Sequence, residues 1–545
     1  MSDLRTSGTA PSGLACSSDH DSGGNAVTST DFLAAHAAAD PDGRAVIDGD
    51  RTLTRRELNE LVNRYGHVLR AADVRAGEKV LWVGQNSAEV VAINHAARKV
   101  GAVCVPMNYR LAPDEAEYVI DNCDAAVVLF DIEQTDQLEP IHDRCDRVRE
   151  WHAFRLRGRA VPHWARDLDA AAEQAPTTEP EVVGEDPAAG TTMIYTSGTT
   201  GKPKGTVRRT SPRSAANAMA FVQLVGWVPT DVYLSTGPLY HSAPLGFMVA
   251  VQQIGGSVVI QRHFDPEEWL RLVQEHGVTT SFSAPTPIRR VVDLPEEVRA
   301  RYDTSSMQRL IANAAPWPFE LKKKYVERIN DWSLIEVYGS TELGVNTILL
   351  PDEQMRKPGS CGRPLPGVEI ELIDDEGNVV TEPHQPGEVY VRSDATFAAY
   401  YKDPEKYDAN RRGEFLTVGD IAYWDEEGFL YICDRKSDMI ISGGVNIYPA
   451  EIEAVLVAHP AIADAAVFGI PDDEWGEAVH AVVSTYDGQP VGYEDVAAFC
   501  REHLAGYKVP RSLELIDEIP RSASGKILKR QLREPHWAGR SSKVG

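Results

Sequence analysis

The pattern of apolar and polar positions alternates between helical and strand-like periods from Phe32 onward. Over Leu53–Ala71 the apolar residues recur at helical spacing, and Thr54 is a candidate N-cap. The run KVLWV at Lys79–Val83 predicts a buried strand, and Ala88–Val100 predicts the helix that follows it. A repeated strand–helix order predicts an α/β fold with parallel sheets covered by helices.

The same alternation continues through two stretches of the chain. The first goes on with a strand at Ala102–Pro106, a helical segment at Glu115–Asp121 and a strand at Ala125–Phe130. The second runs from about residue 190 to 350. Between them, residues 155–186 are rich in Ala, Glu and Pro with weak periodicity, and they predict a surface connection. We therefore expect two α/β sheet subdomains.

The pattern changes near residue 364. The segments VEIELID and GEVYVR, separated by a polar DDEGN turn, are typical of antiparallel strands and predict a β-rich subdomain. The tail then alternates again, and predicts a small mobile α+β C-terminal domain. Its expected elements are a helix at 450–458, strands at 462–468 and 478–484, a helix at 493–503 and a strand at 512–516. The expected divisions are a lead-in at 1–28, a large N-terminal domain at 29–436 and the C-terminal domain at 437–545.

Composition narrows the class of protein. The 545 residues carry a formal net charge of −26, which argues against a broad binding surface for nucleic acid or anionic membranes. The 7 cysteines show no CxxC pair and no zinc spacing, so they fit a reducing cytosol. Residues 1–28 are rich in Ser, Gly and Thr and predict a disordered lead-in, and no run is apolar enough for a membrane span. We expect a cytoplasmic monomer or homodimer.

The most informative segment is the glycine-rich loop YTSGTTGKPKG at Tyr195–Gly205, which follows an apolar strand. Its glycines let the backbone turn tightly and bring N–H groups close to an anion, while its hydroxyls and lysines add donors and positive charge. The loop lacks the Gly-x-x-x-x-Gly-Lys-Ser/Thr spacing, so it is not a Walker A loop. A flexible surface turn is the plain alternative, but this string is particular enough to favour phosphate binding.

Further motifs accompany the loop. They are Pro238–Pro244 (PLYHSAP), Tyr338–Glu342 (YGSTE), Val418–Asp420 (VGD), Asp434–Arg435 (DR), Ser442–Asn446 (SGGVN), Pro449–Glu453 (PAEIE) and Pro520–Lys526 (PRSASGK). In this order they resemble the signatures of the adenylate-forming, AMP-binding superfamily, which contains acyl-CoA synthetases, adenylation domains and beetle luciferases. The resemblance covers nearly all of the chain after about residue 29. It implies that ATP and coenzyme A are co-substrates and that Mg²⁺ is the cofactor. The implied partner is a small-molecule carboxylic acid.

The resemblance implies a nucleotide site. Asp420 is expected to bind the ribose hydroxyls, and Arg435 is expected to contact the ribose or phosphate. Tyr338 is expected to lie against the adenine face, and the alternative for Tyr338 is an ordinary core position. Glu342 is the expected Mg²⁺ ligand, with Thr196 beside it. The expected ATP or AMP contacts are Thr196, Ser197, Gly198, Thr199, Thr200, Lys204, Ala314, Ala315, Pro316, Glu336, Val337, Tyr338, Gly339, Ser340, Thr341, Asp420 and Arg435.

Lys526 is the expected catalytic lysine. Negative charge builds on the attacking and bridging oxygens when a carboxylate attacks the α-phosphorus, so an ammonium there stabilises the transition state more than the ground state. His241, also expected to be catalytic, stands where the family orients the substrate carboxylate; a packed histidine is the alternative. The expected acyl pocket consists of His241, Ala243, Phe247, Ser283, Gly339 and Leu343. These residues are mostly small or apolar, which predicts a hydrophobic or aromatic acid.

The resemblance also implies that the C-terminal domain rotates between two half-reactions. Ser437, two residues after Arg435, holds the expected hinge position, where many relatives carry Asp or Lys. Gly443 and Gly444 are expected to let the backbone approach the pantetheine of coenzyme A. Trp475 is expected to pack against the pantetheine, with an ordinary core position as the alternative.

The predicted activity is that of an AMP-forming acid–thiol ligase, which makes an acyl-adenylate and then a coenzyme A thioester. Within the same scaffold, the adenylate can pass instead to a carrier protein, an amine or nitrite. Two alternatives come from other classes, a luciferase-like oxygenase and a non-catalytic nucleotide binder. The presence of Glu342 and Lys526 speaks against the non-catalytic alternative.

Overall fold

The computed structural model describes residues 31–186, 188–196, 203–207, 212–443, 445–486, 489, 491–522 and 526–538. The predicted lead-in at 1–28 lies outside these ranges. The helices are α1 (Phe32–Ala39), α2 (Arg55–Ala71), α3 (Ala88–Lys99), α4 (Pro113–Asn122), α5 (Thr135–Leu138), α6 (Leu168–Glu173), α7 (Pro212–Val225), α8 (Ser242–Gln253), α9 (Pro266–His276), α10 (Pro285–Val292), α11 (Glu296–Arg299), α12 (Phe319–Arg328), α13 (Pro404–Ala409), α14 (Pro449–Ala458), α15 (Tyr493–His503) and α16 (Lys529–Trp537).

The strands up to residue 364 are β1 (Arg44–Asp48), β2 (Arg51–Thr54), β3 (Lys79–Val83), β4 (Val103–Met107), β5 (Ala125–Asp131), β6 (Glu150–Phe154), β7 (Arg166–Asp167), β8 (Ile194–Thr196), β9 (Lys204–Val207), β10 (Val232–Ser235), β11 (Ser257–Ile260), β12 (Thr280–Ser283), β13 (Arg309–Ala312), β14 (Leu334–Ser340), β15 (Gly344–Leu349) and β16 (Arg363–Pro364). The later strands are β17 (Glu369–Ile373), β18 (Gly387–Arg392), β19 (Ala399–Tyr400), β20 (Arg411–Arg412), β21 (Phe415–Leu416), β22 (Asp420–Trp424), β23 (Leu430–Arg435), β24 (Ile440–Ser442), β25 (Val445–Ile447), β26 (Ile462–Asp472), β27 (Gly476–Thr485) and β28 (Ser512–Leu515).

The first sheet is parallel in the order β4-β3-β5-β6-β7, as the alternating pattern predicts. Helix α2 begins after Thr54, whose hydroxyl accepts from the Glu57 backbone N–H at 3.2 Å while the Glu57 carboxylate accepts from the Thr54 N–H at 2.8 Å. The interpretation of residues 155–186 as a surface connection is wrong for its middle part. There β7 joins the sheet, and Leu168 at the start of α6 is fully buried. Sequence analysis missed these elements because only a short stretch of the segment is apolar, which leaves its hydrophobic periodicity weak.

The largest sheet in the described ranges has the order β16-β15-β14-β13-β12-β10-β11-β1-β2. Its centre from β1 to β14 is parallel, while β2, β15 and β16 at the two ends are antiparallel. Every residue of strands such as β10 and β11 is buried, because helices cover both faces of a parallel sheet. The carboxyl ends of β10, β12, β13 and β14 therefore meet along one edge.

An antiparallel sheet formed by β17, β18 and β20–β23 follows, and the predicted pairing of VEIELID with GEVYVR is confirmed as β17 against β18. The short strands β8, β9 and β19 form a separate sheet beside it.

The C-terminal domain has its own sheet and its own core. Strands β24–β28 pair with one another, and α14 and α15 pack on them around Ile452, Leu456 and Val467. Its predicted helices and strands are confirmed, whereas α16 and the short strands β24 and β25 were missed. The boundary at 436/437 stays a prediction. Among the helices of the described part of the chain, none has the length and apolar character that crossing a membrane requires.

Candidate active site

A cleft of about 2210 Å³ opens at the carboxyl edge of the large sheet, and the C-terminal domain closes one side of it. Ligands of open α/β sheets bind outside the carboxyl ends of the strands, because the loops that follow parallel strands converge there. The loops after β10, β12, β13 and β14 line this cleft, together with the segment that carries Lys526. The topology alone therefore brings most of the sequence motifs to one place.

The loop after β13 and the end of β14 form one wall of the cleft. Ala314, Ala315, Pro316 and Tyr338 all line it, as predicted for an adenine site. Ala314 has a φ of 73°, a left-handed conformation that is uncommon for residues other than glycine. Asn313 stabilises this conformation, since its side chain accepts from the Ala314 backbone N–H and donates to the carbonyl of Val337, which also lines the cleft, at 2.5 Å. Sequence analysis did not identify Asn313.

Tyr338, Asp420 and Arg435 form a connected polar group in the cleft. The Tyr338 hydroxyl donates to Oδ2 of Asp420 at 2.7 Å, and Nε of Arg435 lies 3.3 Å from Oδ1. Asp420 and Arg435 are register partners on β22 and β23, which fixes their distance. Burial, and then the neighbouring Asp420 carboxylate, raise the pKa of Tyr338 well above its usual value, so the hydroxyl stays a donor. Each carboxylate oxygen has a second lone pair, which leaves Asp420 able to accept from ribose hydroxyls.

Glu342 meets two hydroxyls beside the cleft. Its Oε1 accepts from Oγ1 of Thr196 at 3.2 Å and from the hydroxyl of Tyr400 at 3.3 Å. An incompletely buried carboxylate with neighbouring hydroxyl oxygens suits Mg²⁺, which takes oxygen ligands and is usually held by one or two carboxylates plus substrate phosphates. The structure thus joins Glu342 and Thr196 as predicted, and it adds Tyr400, which no motif indicated.

The glycine-rich loop connects β8 and β9, whose register pairs Thr196 with Lys204. Lys204 forms an ion pair with Asp403, and its ammonium lies 5.9 Å from the centre of the Tyr400 ring. The predicted phosphate contacts Ser197, Gly198, Thr199 and Thr200 lie outside the described residues.

The end of β14 and the first residue of the turn after it carry three further predicted nucleotide contacts, Gly339, Ser340 and Thr341, which line the cleft. The Thr341 hydroxyl lies 2.9 Å from that of Ser242 at the start of α8. A Cβ added to Gly339 would lie 2.1 Å from the carbonyl oxygen of Gly344, so only glycine allows this close approach of two strands.

Lys526 is delivered to the cleft by a hydrogen-bonded loop. The Ser522 N–H donates to the Lys526 carbonyl at 2.7 Å, and the Lys526 N–H donates to the Ser522 hydroxyl at 3.2 Å. The side chain is exposed to the solvent that fills the cleft, yet protein surrounds the cleft on several sides. Burial, and then the positive charge of Arg435, lower the pKa of Lys526, while Glu342 and Asp420 oppose this shift. Lys526 therefore shares an electrostatic environment with the polar groups of the large domain.

His241 caps the start of α8 at the mouth of the cleft. Its ring lies 4.3 Å from that of Tyr240, and its Nε2 is buried without a hydrogen-bond partner in the described ranges. Burial, and then the charges of Lys526 and Arg110, lower the pKa of His241 to about 4. The imidazole is therefore neutral at pH 7 and offers a free nitrogen to a ligand. An unpaired buried nitrogen costs free energy, which favours the substrate-orienting role over simple packing.

Five of the six residues predicted for the acyl pocket line the cleft, and their contact with an acid stays a prediction. Ala243, Phe247, Ser283 and Gly339 line the cleft together with His241. Leu343 does not line it, which corrects the prediction, because the chain turns after Thr341 and places Leu343, fully buried, in the core of the β-rich subdomain. The lining residues that sequence analysis missed include Phe221, Phe282 and Asn217.

Glu336 also lines the cleft, but its buried carboxylate forms an ion pair with Lys322, which is 1% exposed. This pair anchors α12 to β14. A direct contact of Glu336 with nucleotide stays a prediction.

The predicted hinge residue Ser437 and the predicted coenzyme A residues Gly443 and Trp475 do not line the cleft. Ser437 is exposed in a turn between β23 and β24, where the Lys436 N–H donates to the Gly419 carbonyl at 2.8 Å. Gly443 has a φ of 58°, and a Cβ there would lie 2.6 Å from the ring of Trp475, which is 39% exposed rather than buried in the core. Gly444 lies outside the described residues. The structure thus joins Gly443 to Trp475, and their role stays a prediction.

Comparisons with known proteins agree with this geometry. The AMP-binding enzyme family matches residues 33–401, and the AMP-binding enzyme C-terminal domain matches residues 451–526. Together the two matched segments contain most of the motifs that line the cleft.

Individual relatives match over nearly their whole lengths. The feruloyl-CoA synthase of Amycolatopsis sp is 33% identical over 500 residues, which cover 91% of this chain and 96% of the relative. Among solved structures, the anthranilate CoA ligase AuaEII in complex with anthranoyl-AMP has a TM-score of 0.85 at 26% identity, covering 93% of this chain and 96% of that one. The amide bond synthetase McbA from Marinactinospora thermotolerans has a TM-score of 0.82 at 28% identity, covering 92% and 99%. The chain belongs to the family of AMP-binding enzymes and contains both of the domains that define it.

Proposed function

We propose that this protein activates a hydrophobic or aromatic carboxylic acid with ATP and then transfers the acyl group to coenzyme A. In the first step a carboxylate oxygen bonds to the α-phosphorus, and the bond to the bridging oxygen breaks, which releases pyrophosphate. In the second step the thiol sulfur bonds to the acyl carbon, and AMP leaves. The observation that carries the proposal is the convergence of Lys526 with Asp420 and Arg435 in one cleft, beside which Glu342 contacts the cleft residue Thr196.

Each group has a defined task in the first step. Asp420 and Tyr338 hold the nucleoside, and neutral His241 positions the acid carboxylate without neutralising it by protonation. The Lys526 ammonium stabilises the oxygens that become negative in the transition state. This interaction lowers the barrier more than it strengthens substrate binding. Glu342 with Thr196 would hold Mg²⁺, which neutralises phosphate charge when bound.

The acyl side of the cleft favours a flat, apolar acid. Phe221 and Phe247 stack with ring centres 5.8 Å apart, and Phe247 lies 5.6 Å from Phe282. Aromatic walls of this kind favour an aryl group, because offset and edge-to-face ring contacts are favourable beyond area burial. Asn217 lines the same cleft, and its buried side-chain N–H₂ has no hydrogen-bond partner in the described part of the chain. An aryl acid with a hydroxyl or methoxy acceptor would satisfy it.

A matched set of acids tests this function. The purified protein is given Mg²⁺-ATP and benzoates, cinnamates or fatty acids, with and without coenzyme A, while AMP, pyrophosphate and thioester are measured. We expect AMP and pyrophosphate in equal amounts, and an acyl thioester when coenzyme A is present. Lys526→Ala serves as the inactive control. The proposal is refuted if every acid in the set gives ADP instead of AMP, or if ATP is not cleaved with any of them.

A second acceptor is favoured by one observation, the similarity to the amide bond synthetase McbA. In that case an amine nitrogen bonds to the acyl carbon, AMP leaves, and the nitrogen loses a proton. Replacing coenzyme A with a panel of amines distinguishes the acceptors, because an amide then forms at a rate above that of uncatalysed aminolysis. Thioester formation that is much faster than amide formation would assign coenzyme A.

We also propose that the protein works in the reducing cytosol. The cysteines of the described ranges are Cys104, Cys123, Cys145, Cys361, Cys433 and Cys500, and none of them forms a disulfide.

A further inference from the structure

Three metal-ligating side chains meet in the C-terminal domain, on the side of the sheet that carries α16. They are His480 on β27, Glu514 on β28 and His536 on α16, and we call them the His480 cluster. One ligand atom from each residue lies within 4.8 Å of the other two. None of the three lines the active-site cleft. The cluster is therefore separate from the expected Mg²⁺ position.

His480 is the fixed member of the cluster. It is 5% exposed, and its Nδ1 lies 2.7 Å from the hydroxyl of Ser512 on the neighbouring strand. Metal-binding histidines usually hold their second nitrogen in such a hydrogen bond, which fixes the tautomer and the ring orientation. With Ser512 accepting from Nδ1–H, the lone pair of Nε2 faces the other two residues of the cluster.

That nitrogen makes a long contact with the Glu514 carboxylate rather than a hydrogen bond. His480 Nε2 is buried and has no hydrogen-bond partner in the described residues. The nearest carboxylate oxygen, on Glu514, is 3.7 Å away, which is too long for a hydrogen bond. Packing of the His480 and His536 rings against Phe468, at 5.2 and 5.8 Å, explains why the His480 ring is buried. It does not explain a buried nitrogen without a partner, which costs free energy.

The backbone places the three ligands on one side. Strands β27 and β28 are parallel, and His480 pairs with Ser512 in register, so Glu514 two residues later faces the same side. His536 approaches from α16, whose next residue, Trp537, donates from its indole N–H to the Gly469 carbonyl at 3.1 Å. Nε2 of His536 lies 4.0 Å from the Glu514 carboxylate.

The separations are slightly larger than a bound ion requires. Ligand atoms at tetrahedral Zn²⁺ stand about 3.3 Å apart, because each lies about 2.0–2.2 Å from the metal. The side chains of Glu514 and His536 are 51% and 29% exposed, so both can shift toward a rigid His480. Two imidazoles and one carboxylate are a zinc ligand set that leaves one position for water.

We propose that the His480 cluster binds one Zn²⁺ ion, which fastens α16 to the C-terminal sheet. The consequence concerns the active site, because α16 begins three residues after Lys526. A metal between β27, β28 and α16 would hold the segment that presents the lysine. Mg²⁺ prefers six oxygen ligands and does not suit this nitrogen-rich set.

Titration of the chelator-treated, full-length protein tests the proposal in the absence of ATP. We expect one Zn²⁺ per chain by calorimetry, a melting temperature that rises with Zn²⁺, and visible absorption bands when Co²⁺ is used as the probe. Glu514→Gln and His536→Ala should each weaken Zn²⁺ binding by at least about tenfold. Both residues are partly exposed, so these variants should fold.

The matched control is His503→Ala, which removes an exposed histidine of the same domain whose Nδ1 lies 2.8 Å from the Phe499 carbonyl. It should bind Zn²⁺ like the unchanged protein. The proposal is overturned if Glu514→Gln and His536→Ala also bind Zn²⁺ with unchanged affinity, if no Zn²⁺ binds at one per chain, or if Mg²⁺ produces the same rise in melting temperature.

Discussion

Replacing Lys526 with alanine should slow acyl-adenylate formation and leave the second half-reaction nearly unchanged. The lysine is a cation that the C-terminal domain contributes to the cleft that Asp420 lines, and Glu342 is close enough to influence its pKa. Removing one preorganised donor from a developing oxyanion costs about 3–4 kcal/mol, or a factor of 10²–10³ in rate. Arg435 cannot replace the lysine fully, because its Nε lies 3.3 Å from the Asp420 carboxylate.

The assay separates the two half-reactions. Single-turnover release of pyrophosphate from Mg²⁺-ATP and acid measures the first, and thioester formation from chemically prepared acyl-adenylate measures the second. Arg530→Ala is the matched control, since this exposed cation pairs with Glu534 on the surface of α16. Two outcomes would refute this reasoning: equal slowing of both half-reactions, or a fall of less than about threefold in the rate of adenylation. Either would show that the charge of Lys526 does not stabilise the adenylation transition state.

The same residue predicts a pH dependence. The ammonium is the active form, and burial with Arg435 lowers the pKa of Lys526. The kcat/KM for adenylation should therefore fall as pH rises through this lowered pKa, at a lower pH than an ordinary lysine would show. Lys526→Arg keeps the charge at all accessible pH values. In this variant the fall in kcat/KM at high pH should disappear, even if the variant is slower overall. If the same fall persists in the variant, a group other than Lys526 is losing the proton.

Three further perturbations test other parts of the site. Glu342→Gln should raise the Mg²⁺ concentration for half-maximal adenylation by at least about tenfold, because a carboxylate ligand is lost; an unchanged Mg²⁺ titration would exclude Glu342 as a ligand. Arg289→Ala removes the hydrogen bond to the Ala463 carbonyl at 2.8 Å across the domain interface, so adenylation should slow about tenfold while thioester formation from acyl-adenylate is spared. Equal slowing of both steps would show that the contact does not favour the adenylating arrangement. Lys322→Ala leaves the buried Glu336 carboxylate unpaired. It should lower the free energy of unfolding, measured with denaturant, by about 3–5 kcal/mol. Adding Glu336→Gln to the same chain should recover part of that stability.

The sequence by itself determined the local structure and the order of the motifs. Thr54 is the predicted N-cap, and it forms a capping box with Glu57 because both partners lie within one helical turn. The run at Lys79–Val83 becomes a buried strand because its apolar residues have no alternative to burial. Lys526 could be identified in the same way, from a short motif whose residues are neighbours along the chain.

Only the tertiary structure decided which distant residues meet. Tyr400 reaches Glu342 across 58 residues, and no local period encodes that contact. Leu343 does not line the predicted pocket because the turn after β14 brings it into the core of the β-rich subdomain, a matter of backbone path rather than residue type. His480 and His536 come together because strand register and helix docking bring separate segments into contact. Local sequence fixes what each segment can become, whereas packing fixes what it faces.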